Sequence, residues 1–231
     1  MLQQTQTSRV AEKFLEFIDK YPNFNALANA QINDILKIWQ GLGYNRRALA
    51  LKNIAETVVN NYDSKLPEDI NILKSFPQIG HNTASSIITF AFNIPTVFIE
   101  TNIRRVYIHF FFQDKKLISD KEILELVEKT LDTSNPRDWY YALMDYGVML
   151  KRRYPELHKK STNYRKQTKF KGSSREIRGK VLKLILKEKS IKETEIFKEV
   201  SKDSDKIKNI LHALEDEGFI KKEGKTYYIS E

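Results

Sequence analysis

Apolar residues recur along most of this chain at spacings of three and four, the period of amphipathic helices. Thr7 to Tyr21 is predicted as a helix with Val10, Phe14, Phe17 and Ile18 on its core face, broken at Pro22. Phe24 to Ala30 reads as a short helix or turn, and Gln31 to Gln40 as a helix carrying Ile32, Ile35, Leu36 and Trp39, stopped by Gly41. Arg46 to Tyr62 forms a long helix with Leu49, Ile54, Val58 and Val59 inward, and Pro67 opens a short one. His81 to Phe92 follows, with Ala84, Ile87, Ile88 and Ala91 on one face and Pro95 as its stop. Arg104 to Phe112, Asp120 to Leu131 and Arg137 to Lys151 complete an all-α first part.

From Ser174 the pattern changes scale. Ile177, Val181, Leu184 and Ile185 mark one helix, Glu193 to Val200 a second, and Asp203 to Glu217 a third, with Ile207, Ile210, Leu211 and Leu214 inward and Gly218 as its cap. Phe219 to Ile229 then reads as two short strands around a charged turn. Three helices followed by a hairpin resemble a winged helix, used on DNA, where its third helix enters the major groove, or for protein contact or simple stabilisation.

Two stretches interrupt the helical pattern in informative ways. From Leu73 to Val106 a turn, a helix, an apolar run and a lone carboxylate follow closely. In the turn Phe76-Pro77-Gln78-Ile79-Gly80, Pro77 fixes one φ, and Gly80 is expected to supply a positive one. The run Thr96-Val97-Phe98-Ile99 ends at Glu100, with Arg104 and Arg105 one turn further on. A carboxylate beside a helix N-terminus is placed for chemistry; its other reading is a helix cap. The second stretch lies between Lys151 and Lys180, where twelve Lys or Arg stand against two Glu, with a Gly172-Ser173-Ser174 break. It reads as a basic linker.

Composition narrows the class. A hydrophobic content of 41% over 231 residues is enough for a real core. No apolar run approaches the roughly 20 residues of a membrane span, and no leader precedes Thr5, so the expectation is an intracellular, cytoplasmic and nucleoid-associated protein with no membrane partner. The absence of cysteine excludes disulfides, cysteine nucleophiles and any Cys-ligated zinc or iron–sulfur site. His81, His109, His158 and His212 have no metal-ligand spacing, so no metal is expected. A net charge of +9 favours an anionic partner, although a Lys-rich surface kept for solubility gives the same number.

Several motifs resemble the helix-hairpin-helix (HhH-GPD) superfamily of base-excision DNA glycosylases over roughly the first 167 residues. Phe76 to Ala84 matches its hairpin L-P-G-[VI]-G-x-x-T-A, and Glu100 to Val106 its catalytic loop D-[GT]-N-[VI]-x-R-V. Met1-Leu2-Gln3-Gln4-Thr5-Gln6, Trp39 with Gly41-Leu42-Gly43-Tyr44 and Arg47-Ala48, and Met144-Asp145-Tyr146-Gly147 with Met149 are similar to motifs of the adenine glycosylase (MutY) branch. The resemblance implies a mainly α fold: a glycosylase domain over 1–150, a basic linker over 151–173 replacing the iron–sulfur loop, and a winged-helix (α+β) domain over 174–231.

The same resemblance implies an activity, hydrolysis of the N-glycosidic bond of adenine mispaired with guanine or 8-oxoguanine, on duplex DNA and as a monomer. The alternatives are a mismatch thymine or uracil glycosylase, a DNA-binding homologue without catalysis, and a regulator led by the winged helix. Glu100 takes the place of the family's catalytic Asp, one methylene longer. The family's general-acid Glu falls two residues upstream of Met1; either the start is miscalled and a further N-terminal segment carries that Glu, which is the expectation, or the protein lacks its general acid. Gln3 and Gln4 correspond to wedge and base-contact residues, and Tyr44 to an intercalating aromatic, its other reading being a core tyrosine. Asn82 stands where a lyase of the superfamily has its Lys, so little lyase activity is expected; Asn82 either contacts substrate or caps the helix from Thr83. Gln78, Gly80, Thr83, Asn102, Arg46, Arg47, Arg104 and Arg105 are the expected backbone contacts, with any arginine alternatively a solvated surface charge. The four cluster-cysteine positions fall on Lys151, His158, Ser161 and Gln167, so no cluster is expected.

Overall fold

The computed structural model describes residues 1–200 and 203–230; Ser201, Lys202 and Glu231, part of the expected 174–231 module, lie outside the described residues. The chain divides into two compact units, residues 1–66 with 168–231 and residues 67–167.

The first unit begins with α1 (Thr7–Lys20), α2 (Phe24–Ala28), α3 (Ile32–Trp39) and α4 (Arg46–Asn61). Pro22 and Gly41 separate them as expected, because one removes a backbone donor and the other sits at φ +89. α3 is buried at Ile32, Ile35, Leu36, Ile38 and Trp39, an apolar face too wide for one neighbour. Val10 and Phe17 of α1 pack inward, but Phe14 and Ile18, expected beside them, are 49% and 42% exposed. With Leu15 they form a second apolar stripe that this unit leaves uncovered, which a helical period alone does not distinguish from a core face.

The same unit contains α10 (Ser174–Glu188), β1 (Ser190–Lys192), α11 (Glu193–Val200), α12 (Ser204–Asp216), β2 (Ile220–Glu223) and β3 (Thr226–Ile229). These helices and a three-stranded antiparallel sheet ordered β1-β3-β2 supply the winged-helix part of the fold. β1 adds a strand to the expected hairpin; with only Ile191 buried among three residues it leaves too short an alternation to read. Ile177, Val181, Leu182, Ile185 and Leu186 of α10 belong to one hydrophobic cluster with Trp39, Ile38 and Phe17. The contact-based units thus differ from a serial division at residues 150 and 173, because α10 and α3 share a core.

The second unit holds α5 (Ile70–Ser75), α6 (His81–Phe92), α7 (Thr101–Phe111), α8 (Asp120–Thr130) and α9 (Pro136–Arg153). α7 lies against α9, and Ile103, Tyr107, Ile108, Ile123, Val127 and Tyr140 close its core. Asp69 rather than Pro67 starts α5, its Oδ1 accepting from the amides of Asn71 and Ile72. α6 ends at Asn93, which takes the left-handed cap at φ +57 before Pro95 is reached. Ser119 and Glu122 form a capping box on α8.

The stretch expected as a basic linker contains regular structure in its first half. Residues 151–153 complete α9, Leu157–Lys160 form a 3-10 turn, and Ser161, 5% exposed, bridges to Ile118. The Ile118 amide donates to Lys160 O and the Thr162 amide to Ile118 O, so backbone bonds override the local bias of a charged sequence.

Candidate active site

Glu100 sits at the N-cap of α7 in extended backbone, φ −128 and ψ 178. Its Oε1 accepts from the amides of Asn102 at 2.6 Å and Ile103 at 2.9 Å. Both readings of Glu100 therefore meet in one geometry. The cap orients the carboxylate through one oxygen, and Oε2 takes no hydrogen bond from the described residues. A fixed anion at a helix N-terminus is favoured by the α7 dipole and can face a developing positive charge without reorganising.

The run leading to Glu100 is pinned at nearly every residue. Thr96 Oγ1 donates to Ser85 O at 2.8 Å, and Thr96 O accepts from the Tyr140 hydroxyl at 2.8 Å. Val97 O lies 3.2 Å from His81 Nε2. The Phe98 ring stacks on Tyr140 with centroids 4.1 Å apart. The Ile99 amide donates to Asn82 Oδ1 at 3.3 Å. Asn82 is thus neither the helix cap nor free: Gly80 holds the cap position of α6, and Asn82 ties the start of that helix to the residue before Glu100. Burial pushes the Tyr140 phenol up to about 12, so it stays a donor to Thr96 at any working pH.

The hairpin differs from expectation at its glycine. Gly80 has φ −89, and the positive φ of the turn falls on Gln78 at +62. The loop needs its left-handed residue two positions earlier, at the usual first glycine of the hairpin, and Gln78 occupies that region with a Cβ. Gly80 N-caps α6 without a side chain, and Thr83 lies in the first turn.

The expected arginines are already engaged. Arg104 makes a two-point pair with Asp120, Nε to Oδ1 and Nη2 to Oδ2, both 2.7 Å. Arg105 is 8% exposed and donates through Nη1 to Asn102 Oδ1; burial lowers its pKa and the nearby Glu100 opposes that shift. Arg105 therefore holds Asn102, and through it the loop that carries Glu100. Gly147 on α9 completes this packing: a Cβ there would lie 2.3 Å from Asn102 O. The sequence marked Gly147 only as part of a motif, and no signal pointed to Asp120 as the partner of Arg104.

The remaining expected residues lie in the first unit. Gln3 and Gln4 are exposed, and Gln4 is left-handed at φ +56. Tyr44, at φ +50 and 43% exposed, is not a core tyrosine. One guanidinium organises both segments. Arg47 donates to the carbonyls of Met1, Gln3 and Gly43 and to Thr5 Oγ1, and lies 5.3 Å from the Tyr44 ring centroid. Burial lowers its pKa. Arg46 reaches Glu217 at the C-cap of α12 at 2.6 and 2.7 Å, and Arg178 grips the same carboxylate. Non-glycine residues in left-handed backbone thus recur at Gln4, Tyr44 and Gln78, where a fold that over-determines its loops can hold strain.

A thiolate-held cluster does not fit the chain. Lys151, His158, Ser161 and Gln167 supply no thiolate, and Ser161 is buried in a backbone bridge. Among the described residues no group of three His, Cys, Asp or Glu could hold a metal.

Hairpin, capped carboxylate and pinned approach run define an α-helical hairpin scaffold built to hold one carboxylate still. Residues 1–132 match the HhH-GPD superfamily base excision DNA repair protein model, and the chain belongs to that family. Its sequence is 30% identical to the adenine DNA glycosylase of Mycolicibacterium smegmatis over 202 residues, 80% of this chain and 69% of that protein. It is 31% identical over 154 residues to that of Buchnera aphidicola subsp. Baizongia pistaciae, 65% of this chain and 43% of that protein. The human adenine DNA glycosylase is 28% identical over 152 residues, 64% of this chain and 28% of that protein. The chain spans less than half the length of the Buchnera and human relatives. In fold it is similar to a thermostable thymine-DNA glycosylase, with a TM-score of 0.55 at 24% identity over 64% of this chain and 70% of that one. It is also similar to endonuclease III in a trapped covalent DNA intermediate, with a TM-score of 0.54 at 18% identity over 67% and 70%. Among the described residues, no helix is long and apolar enough to cross a membrane.

Proposed function

We propose that this chain is a monofunctional DNA glycosylase that hydrolyses the N-glycosidic bond of adenine opposite guanine or 8-oxoguanine in duplex DNA, acting as a monomer. The reading rests on one observation above the others: Glu100 is fixed by the α7 amides through Oε1 with Oε2 left to a ligand. The adenine glycosylase relatives support the choice of base. In the proposed reaction the base leaves with the bonding electrons of C1′–N9, the sugar gains cationic character that Glu100 stabilises, and water adds at C1′ as hydroxyl while the proton it gives up ends on the departed adenine. Gln3, Gln4 and Tyr44 contact the opened base pair, with Tyr44 as wedge. The α6 N-terminus, with Gln78, Gly80 and Thr83, receives a backbone phosphate. Residues 1–150 carry the chemistry, 151–173 stand in for the iron–sulfur loop, and 174–231 form the added module. No lysine follows the hairpin closely, so lyase activity through a Schiff base is weak or absent and the main product is an intact abasic strand.

The test is single-turnover base release from duplexes carrying A·8-oxoguanine, A·G, T·G and U·G, developed with and without alkali. Cleavage at adenine only after alkali is expected. Release of thymine or uracil instead reassigns the substrate, and duplex binding without release from any of them removes the enzymatic reading.

A further inference from the structure

The helix that follows Tyr44 starts under unfavourable local conditions. Arg46 and Arg47 place two cations in the first turn of α4, where the helix dipole is already positive, and that turn holds no acidic residue. Asn45, at the N-cap, makes no side-chain cap and has helical backbone, φ −57 and ψ −24. Just before it stand two left-handed residues, Gly43 at φ +72 and Tyr44 at φ +50. The local sequence does little to hold this start, and side chains from distant segments of the same unit do it instead.

Arg47 is met by the carbonyls of Met1 and Gln3, and Arg46 by the winged-helix part. Arg46 Nε and Nη2 donate to the two oxygens of Glu217 at 2.7 and 2.6 Å, and Nη1 and Nη2 of Arg178 donate to the same pair at 3.0 and 2.5 Å. Four charge-assisted bonds from two planar forks leave that carboxylate little freedom. Its backbone is equally fixed. Glu217 is the C-cap of α12, and behind it Gly218 and Phe219 close a Schellman motif, their amides donating to Glu215 O and Leu214 O, both at 2.9 Å. Phe219 is fully buried, with the Arg178 guanidinium 5.3 Å from its ring centroid. A rigid anchor 171 residues away in sequence thus ends two residues after Tyr44, and the Arg47 amide bonds back to Tyr44 O at 3.0 Å. Elsewhere α12 exposes Asp205, Glu215 and Asp216 against Lys208, a balance that a duplex backbone does not favour.

We infer that Glu217 is a positioning residue for the Tyr44 loop: through Arg46 the winged-helix part braces the start of α4 and sets where the Tyr44 ring enters an opened base pair. The inference rests on the reading of Tyr44 as wedge and adds what the winged-helix part does for it. α12 then has a task within its own unit, with its C-terminal end as the working end. Arg178 serves the fold of the winged-helix part, and Arg46 carries the effect to the loop.

The experiment uses an A·8-oxoguanine duplex with 2-aminopurine beside the target adenine, a base that brightens when its neighbour leaves the stack. The fast rise in fluorescence, the duplex Kd and the urea midpoint are measured for the full chain in the parent, Arg46→Gln, Glu217→Gln, the double variant, Arg178→Gln and Tyr44→Ala. Arg46→Gln and Glu217→Gln are each expected to lower the opening equilibrium about five- to tenfold, with the double variant no worse than either. Arg178→Gln is expected to lower the urea midpoint and keep the opening of the parent. Additive losses, an equal loss of opening in Arg178→Gln, or parent-level opening in Glu217→Gln would each overturn the inference. Tighter duplex binding in Glu217→Gln, lost again in the double variant, would make Arg46 a phosphate contact that Glu217 holds back, and overturns it too. Tyr44→Ala separates these failures from failure of the wedge reading: opening is lost in that variant if Tyr44 is the wedge, and opening at the parent level removes both.

Discussion

Two loops carry the residues proposed to act on a base, and they are held in different ways. The Glu100 loop is fixed by many small constraints: threonine, tyrosine, histidine and asparagine side chains on successive backbone groups, an aromatic stack beneath Phe98, and the absence of a side chain at Gly147. The Tyr44 loop is held by fewer side chains and chiefly by Arg47, which ties the N-terminal segment to Gly43 and lies over the Tyr44 ring, with Trp39 Nε1 donating to Gly43 O and Thr5 Oγ1 to Leu42 O, both at 3.1 Å. A carboxylate that must stay within a fraction of an ångström of a sugar needs the first arrangement. A side chain that enters an opened base stack has to be exposed, and Tyr44 is 43% exposed.

This contrast can be broken from either side. The largest effect is expected from Gly147→Ala, since its Cβ meets backbone of Asn102 at 2.3 Å and α9 or the loop must shift. A loss of about 1–3 kcal/mol in urea unfolding is expected, together with a fall in base release on the order of 100-fold as Glu100 moves. Full activity in that variant would show that the loop is not held by α9. Arg47→Ala is expected to lower stability by about 1–3 kcal/mol through the carbonyls it leaves, and to weaken duplex binding more than the single-turnover rate. A rate loss with unchanged binding would place Arg47 in the chemistry and not in the wedge.

Two smaller effects sharpen the comparison. Gln78→Gly relieves a left-handed residue and is expected to raise stability by up to about 1 kcal/mol, read as a higher denaturant midpoint. A decrease would show that the Gln78 side chain is itself needed in the hairpin. Hydrogen bonding from Arg46, reinforced by Arg178, holds Glu217 below its ordinary value of 4.5 against desolvation. A depressed folded pKa means that this contribution is complete above the unfolded value and is lost as pH falls through the folded one. Below about pH 5 the parent should therefore lose stability more steeply than Glu217→Gln, and parallel curves would show that the ion pair contributes nothing.

Much of the scaffold was legible because it depends on local periodicity and on punctuation by Pro and Gly. α6 runs from His81 to Phe92 as its pattern indicates, and α11 and the β2–β3 hairpin fall where their apolar positions put them. What the pattern could not carry was the choice of partner. Phe14 and Ile18 share a helical stripe with neighbours that are buried, yet they face outward. Gly80 looked like the hinge of the hairpin, and the backbone places that demand on Gln78. Arg104 and Arg105 read as phosphate contacts or, alternatively, solvated charges, because Asp120 is 16 residues away in sequence and Asn102 is neutral. A run of lysines reads as linker, while the backbone bridge between Ile118 and Ser161 within it is invisible to composition. At the candidate site, the motif placed Glu100 correctly at a helix start, and its supporting residues Tyr140, His81 and Gly147 required the fold.

The most direct test of the account is Glu100→Gln in the full chain, with base release from an A·8-oxoguanine duplex and binding to the same duplex measured side by side. The side-chain oxygen of Gln can still accept from Asn102 and Ile103, so the cap and the fold are expected to survive while the negative charge is removed. The account predicts a fall in single-turnover release of about 100- to 1,000-fold, with duplex affinity unchanged within about twofold. Release at the parent rate would contradict it and leave Glu100 as a helix cap alone.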